Sequence, residues 1–206
     1  MSDVYEKIKK AWQFDVKFDY ENGLINSERC LQASLYRALR LYFNEEKIFV
    51  EPQFYAEGTI PDIIICSNKR IQVVFEIKFM PDTYPSFEED LLKLCRLSES
   101  ESPEKNSVKE LDPCTGKFSK KEDKKYSLCN ETTKFIFAAI GQGYAIADSI
   151  DSLKVDGLNK KKIKSYFEEK NLESRLPERF ILLYGKLPSS ENQKKIEFII
   201  EKNYDA

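Results

Sequence analysis

The chain has 206 residues, 41% of them hydrophobic and 33% charged, with a formal charge of −2, which suits a single domain over residues 1–206 with a sizeable core. It contains no histidine, and that removes Ser-His-Asp and Cys-His catalysis, histidine-ligated zinc hydrolysis and histidine-dependent nuclease chemistry. The absence of a long apolar run, and of a hydrophobic leader in MSDVYEKIKKAW, leads to the expectation of a cytoplasmic protein with no membrane contact.

Val4, Ile8, Ala11 and Trp12 recur at helical spacing, so residues 1–25 predict an amphipathic helical start ended by Gly23, with Trp12 in the core. Asn26 or Ser27 can cap a long helix running to about Asn44, with Leu31, Leu35, Leu39 and Tyr42 along one stripe. One turn back on that stripe stands Glu28, directed to the sheet side. It is read either as an auxiliary acid there or as a first-turn acid favoured by the helix dipole. Lys47 to Phe54, KIFVEPQF, predicts the first strand, and its Glu51 is a further acidic candidate.

The segment Ile60 to Phe79, IPDIIICSNKRIQVVFEIKF, holds two β-branched runs around Ser67-Asn68-Lys69-Arg70, the pattern of a hairpin. A period of two sends Ile71, Val73, Phe75, Ile77 and Phe79 to one face of the second strand, and Gln72, Val74, Glu76 and Lys78 to the other. Asp62 opens the first strand, where a carboxylate needs a compensating partner. Two acids and an ammonium in this pattern offer oxygen ligands to a hard divalent ion such as Mg²⁺. Such an ion lowers the pKa of a bound water, and Lys78 could orient that water or neutralise a developing oxyanion. The plain alternative is an exposed Glu76/Lys78 pair of little consequence. Apolar residues on both faces of VVFEIKF argue instead for a central strand.

Pro61-Asp62 followed by Glu76-Ile77-Lys78 after a short hairpin resembles the PD-(D/E)xK motif of the restriction-endonuclease-like nuclease superfamily. The resemblance spans the helix near Glu28 through the helix near Lys93. It implies an α/β fold with a central mixed sheet flanked by helices. It also implies a Mg²⁺-dependent endonuclease, with Mn²⁺ able to substitute, that hydrolyses phosphodiester bonds in DNA rather than RNA, in defence against foreign DNA. Asp62 and Glu76 would hold the metal with the carbonyl of Ile77, Lys78 would assist the attacking water, and Glu28 would be the auxiliary acid. A homodimer would suit cleavage of two strands. The rival readings are an inactive nuclease-fold module that binds nucleic acid or protein, and an RNA nuclease.

Beyond Lys78, a helix is expected from about Ser86 to Ser98, with Ser86 and Glu89 as a capping box and Phe87, Leu91, Leu92 and Cys95 inward. FEEDLLKLCRL is similar to the helix that follows the ExK strand in that superfamily. Lys93 and Arg96 fall on another face, where Lys93 either reaches a phosphate or is solvated. Glu99 to Thr132 reads as a polar, mobile insertion in which Lys117, Lys120, Lys121, Lys124 and Lys125 are interleaved with Phe118 and Tyr126. It could be a flap over a nucleic-acid backbone or a solvated loop.

Thr133 to Ile140 predicts a buried strand ended by Gly141-Gln142-Gly143, and Ala145 to Leu153 and Lys160 to Lys170 predict helices. The second of these opens on the basic run Lys160-Lys161-Lys162 and Lys164. Phe180 to Tyr184 reads as a strand, and Glu191 to Lys202 as a closing helix with Ile196, Ile199 and Ile200 inward. Cys30, Cys66, Cys95, Cys114 and Cys129 form no CxxC pair, so reduced thiols are expected rather than a zinc site.

Overall fold

A computed structural model describes residues 3–52, 60–80, 90, 93–94, 97–98, 107–118, 125–129, 132–142, 180–187 and 196–202. The helical start divides into α1 (Asp3–Lys10), a π-helical turn (Ala11–Val16) and α2 (Lys17–Glu21), followed by α3 (Glu28–Tyr42). Gly23, at φ 72°, ends the first part as expected, with its N–H bonded to the Tyr20 carbonyl at 2.9 Å. Ser27 is the cap of α3, its hydroxyl accepting the Cys30 N–H at 3.2 Å. Ile8, Trp12, Leu31, Leu35 and Leu39 are fully buried between these helices and the sheet. The buried Asp19 ties α2 to α3, accepting from Ser34 at 2.6 Å and, through both of its oxygens, from Arg37 at 2.9 and 3.0 Å.

The strands are β1 (Lys47–Val50), β2 (Ile63–Ser67), β3 (Arg70–Met80), β4 (Ser107–Lys109), β5 (Leu111–Asp112), β6 (Lys117–Phe118), β7 (Lys125–Leu128), β8 (Lys134–Gln142), β9 (Phe180–Leu187) and β10 (Glu197–Lys202). Eight of the strands described form one mixed sheet in the order β1-β2-β3-β8-β9-β10, with β7 beside β3 and β4 beside β7. β3, β8 and β9 run parallel, whereas β1-β2-β3 and β9-β10 are antiparallel. β3 therefore lies inside the sheet, as its two apolar faces predict. One face packs Val73, Phe75, Ile77, Ile136, Ile140 and Phe198 against the helices. The other packs Ile64, Val74, Phe137 and Tyr184 with Leu94 and Leu97. Asp90, Lys93, Leu94, Leu97 and Ser98 are helical, within the helix expected there.

Five expectations are corrected. The closing helix is a strand, β10, because Ile196, Phe198 and Ile200 alternate onto the helix-side core, with Phe198 5.2 Å from the Trp12 ring. The described part of the polar insertion contributes to the sheet: β7 runs parallel to the start of β3, β4 pairs with β7, and Val108, Tyr126 and Leu128 are buried. Burial of Tyr126 beside Phe49 also removes it as a base-stacking platform. Ile71 does not share a face with Val73. Pairing jumps from Ile65↔Val73 to Cys66↔Ile71, so Gln72 is an extra residue that turns Ile71 to the opposite core. β1 ends at Val50, where Glu51 takes a φ of 46°.

The predicted helices at 145–153 and 160–170, with Lys160, Lys161, Lys162 and Lys164, lie outside the described residues, as do Ser86, Phe87, Glu89, Leu91, Leu92, Cys95 and Arg96. Among the described residues, no helix is long and apolar enough to cross a membrane.

Candidate active site

β2 stops short of the end of β3. Their pairing ends at Ile63↔Phe75, while β3 runs on to Met80 alongside β8. Along a strand the N–H and C=O of alternate residues face opposite neighbours, so those of Ile77 and Phe79 face the edge that β2 has left. Two carboxylates take the place of the missing strand. Asp62 Oδ2 accepts the Ile77 N–H at 2.6 Å, and Glu28 Oε2 accepts the Phe79 N–H at 3.4 Å. The Ile77 carbonyl lies on the same edge. The backbone of Asp62 is itself pinned, its N–H donating to the Phe75 carbonyl at 3.0 Å and its carbonyl accepting the Glu51 N–H at 2.9 Å.

Glu76 and Lys78 share the face of Val74, away from the main helices, where the helical residues Asp90 and Lys93 meet them. Buried Leu94 and Leu97 fix that segment to the sheet. Lys93 Nζ donates to Glu76 Oε2 at 2.8 Å. Lys78 Nζ stands 3.1 Å from Asp90 Oδ2 and 3.7 Å from Glu28 Oε2. The two lysines thus divide the acids between them. Glu76 is 1% exposed, and among the described residues its Oε1 has no hydrogen-bond partner.

Among the described residues, the four carboxylates of Asp62, Glu76, Asp90 and Glu28 stand near the two ammonium groups of Lys78 and Lys93, and the imbalance is felt. Burial pushes Asp62 up to about 6, helped by Glu28 and Asp90 and opposed by the Ile77 N–H and Lys93. Burial, with repulsion from Asp62 and Asp90, pushes Glu76 up to about 8 against the pull of Lys93. For Lys78, burial acts to lower its pKa, but Asp90, Glu28 and Asp62 outweigh it and hold the pKa above the ordinary lysine value.

Among the described residues no group of three or more His, Cys, Asp or Glu side chains is gathered to hold a metal. A Mg²⁺ site needs less, because this ion binds through one or two carboxylates and keeps several waters. Asp62 and Glu76 would supply such hard oxygen donors, and among the described residues Glu76 Oε1 has no hydrogen-bond partner.

Asp62 bonds to the Ile77 amide, Glu28 to the Phe79 amide and stands near Lys78, and Glu76 feels the charge of Asp62, so these five sequence candidates lie along one end of β3. Lys93 joins them, as the partner of Glu76. Asp90 was missed by sequence reasoning, although its spacing from Lys93, Leu94 and Leu97 marks one helical face. Glu51 is exposed and enters through its backbone N–H. Lys125 lies on β7 opposite Lys109, while Lys120, Lys121 and Lys124 lie outside the described residues. An open cavity of about 660 Å³, lined in part by Phe14, Phe18, Asp19 and Arg37, shares no residue with this cluster, and its buried acid is already paired. Comparison of the chain with protein-family models, curated proteins and solved structures finds no match in any of the three.

Proposed function

We propose that the chain is a Mg²⁺-dependent phosphodiesterase of the PD-(D/E)xK type, an endonuclease with DNA favoured over RNA and a restriction-endonuclease-like sheet. The observation that carries this reading is the buried Glu76 Oε1, without a hydrogen-bond partner among the described residues, on the strand to whose Ile77 amide Asp62 is bonded. When bound, the divalent ion would supply an acidified water and neutralise charge on the phosphodiester. Asp62 and Glu76 hold the ion, and the Ile77 carbonyl is the backbone oxygen available on the same edge. Lys78 keeps its proton beside Asp90 and Glu28, so its part is to stabilise negative charge on the phosphate rather than to act as a base. Glu28 positions Lys78. Defence against foreign DNA, and a homodimer cutting both strands, belong to the same proposal.

The test is cleavage of matched DNA and RNA by the purified chain with Mg²⁺, repeated with Asp62→Asn, Glu76→Gln and Lys78→Met. Loss of cleavage in all three, with folded far-UV spectra, is expected. Undiminished cleavage in the variants overturns the assignment. A second reading, a non-catalytic nuclease-fold binding module, is favoured by the Glu76–Lys93 pair, which neutralises the acid without a metal. Calorimetric titration with Mn²⁺ separates the two, because the inert module takes up no ion through Asp62 and Glu76.

A further inference from the structure

Glu76 is the most deeply buried acid of the cluster, and its charge is met from outside the hairpin. Its partner Lys93 is 2.8 Å away and has a side chain 24% exposed. Lys78, two residues along the same strand face, turns to Asp90 and Glu28 instead. Lys93 also acts on Asp62, so one ammonium serves both candidate metal ligands.

We propose that Lys93 is the resident cation of this pocket: its ammonium and a divalent metal ion exclude each other at Glu76, and metal loading expels Lys93 toward solvent. This rests on the metal-holding role of Asp62 and Glu76 proposed above. An ammonium on Oε2 leaves Oε1 bare, whereas a divalent ion brings twice the charge to the same carboxylate. Two cations on one buried carboxylate repel strongly where the local dielectric is low. Lys93 can yield cheaply, because its four-carbon stem is flexible and its side chain already reaches the surface. Leu94 and Leu97, at 0% and 2% exposure, hold the backbone, so the exchange is a side-chain rotation and leaves the helix in place.

The experiment measures the acylation rate of Lys93 in the full chain, by peptide mass spectrometry after treatment with an amine-reactive reagent, with and without saturating Mn²⁺. Release from Glu76 is expected to raise that rate about tenfold, and Asp62→Asn to abolish the gain. As a second measurement, Lys93→Met is expected to bind Mn²⁺ about tenfold more tightly than the wild-type chain, since a competing charge is gone. Mn²⁺ that binds through Asp62 yet leaves Lys93 acylation unchanged overturns the exchange while sparing the metal site. Binding by Lys93→Met alone supports it. No binding by either chain removes the metal site and this inference together.

Discussion

Asp62 and Ile77 are joined by a 2.6 Å hydrogen bond in which a carboxylate accepts the amide that a paired strand would otherwise take. The bond holds Asp62 beside the strand that carries Glu76, and couples the stability of the strand end to the geometry of the pocket. Asp62→Ala leaves the Ile77 N–H without its acceptor, at a cost of about 1–3 kcal/mol. Asp62→Asn retains an acceptor and is expected to cost less. Urea unfolding of both variants checks this ranking, and equal losses would contradict it.

The raised acids predict an unusual pH dependence of stability. Folded Asp62 and Glu76 hold their protons up to about 6 and about 8, whereas unfolded carboxyls release theirs near pH 4. The folded chain therefore binds more protons in this window, so the stabilisation is complete below about pH 4 and is lost as pH rises through 6 and then 8. Glu76→Gln is expected to flatten the upper part of the profile in urea titrations. A stability that climbs over that range in the wild-type chain would contradict it.

Metal uptake should run opposite to this profile. A cation entering beside Glu76 displaces a proton, so Mn²⁺ affinity is expected to rise between pH 6 and pH 8, by up to about tenfold per pH unit. Calorimetry in buffers of different ionisation enthalpy reads the released proton directly. A flat affinity would show that Glu76 is not a ligand.

Gly185 on β9 offers a test of the sheet away from the pocket. A Cβ there would sit 2.9 Å from Ile140 Cγ1 and 3.3 Å from Phe198 Cζ. Gly185→Ala is expected to cost about 1–3 kcal/mol through overpacking. Ile140→Ala, which removes the crowding Cγ1, should lessen that cost, as read by thermal unfolding of the double variant against Ile140→Ala alone.

Local periodicity made much of this legible. Ser27, the hairpin around Asn68 and Lys69, and the placing of Glu76 and Lys78 on one face of β3 all follow from short-range pattern. The role of Lys93 did not, because pairing across 17 residues depends on how its helix crosses β3. Asp90 escaped for the same reason. The β10 error arose because IEFII satisfies two periods at once, and only the contact of Phe198 with Trp12 decides between them. The displacement of Ile71 turns on the extra Gln72, which alternation alone does not reveal.

The carboxylates that cap Ile77 and Phe79 also have a protective effect. Bare amides at the margin of a sheet invite a strand from another molecule, and here Asp62 and Glu28 occupy them. Neutralising both acids would uncover a template for intermolecular pairing, so the feature that makes the pocket acidic also guards the chain against self-association through that margin.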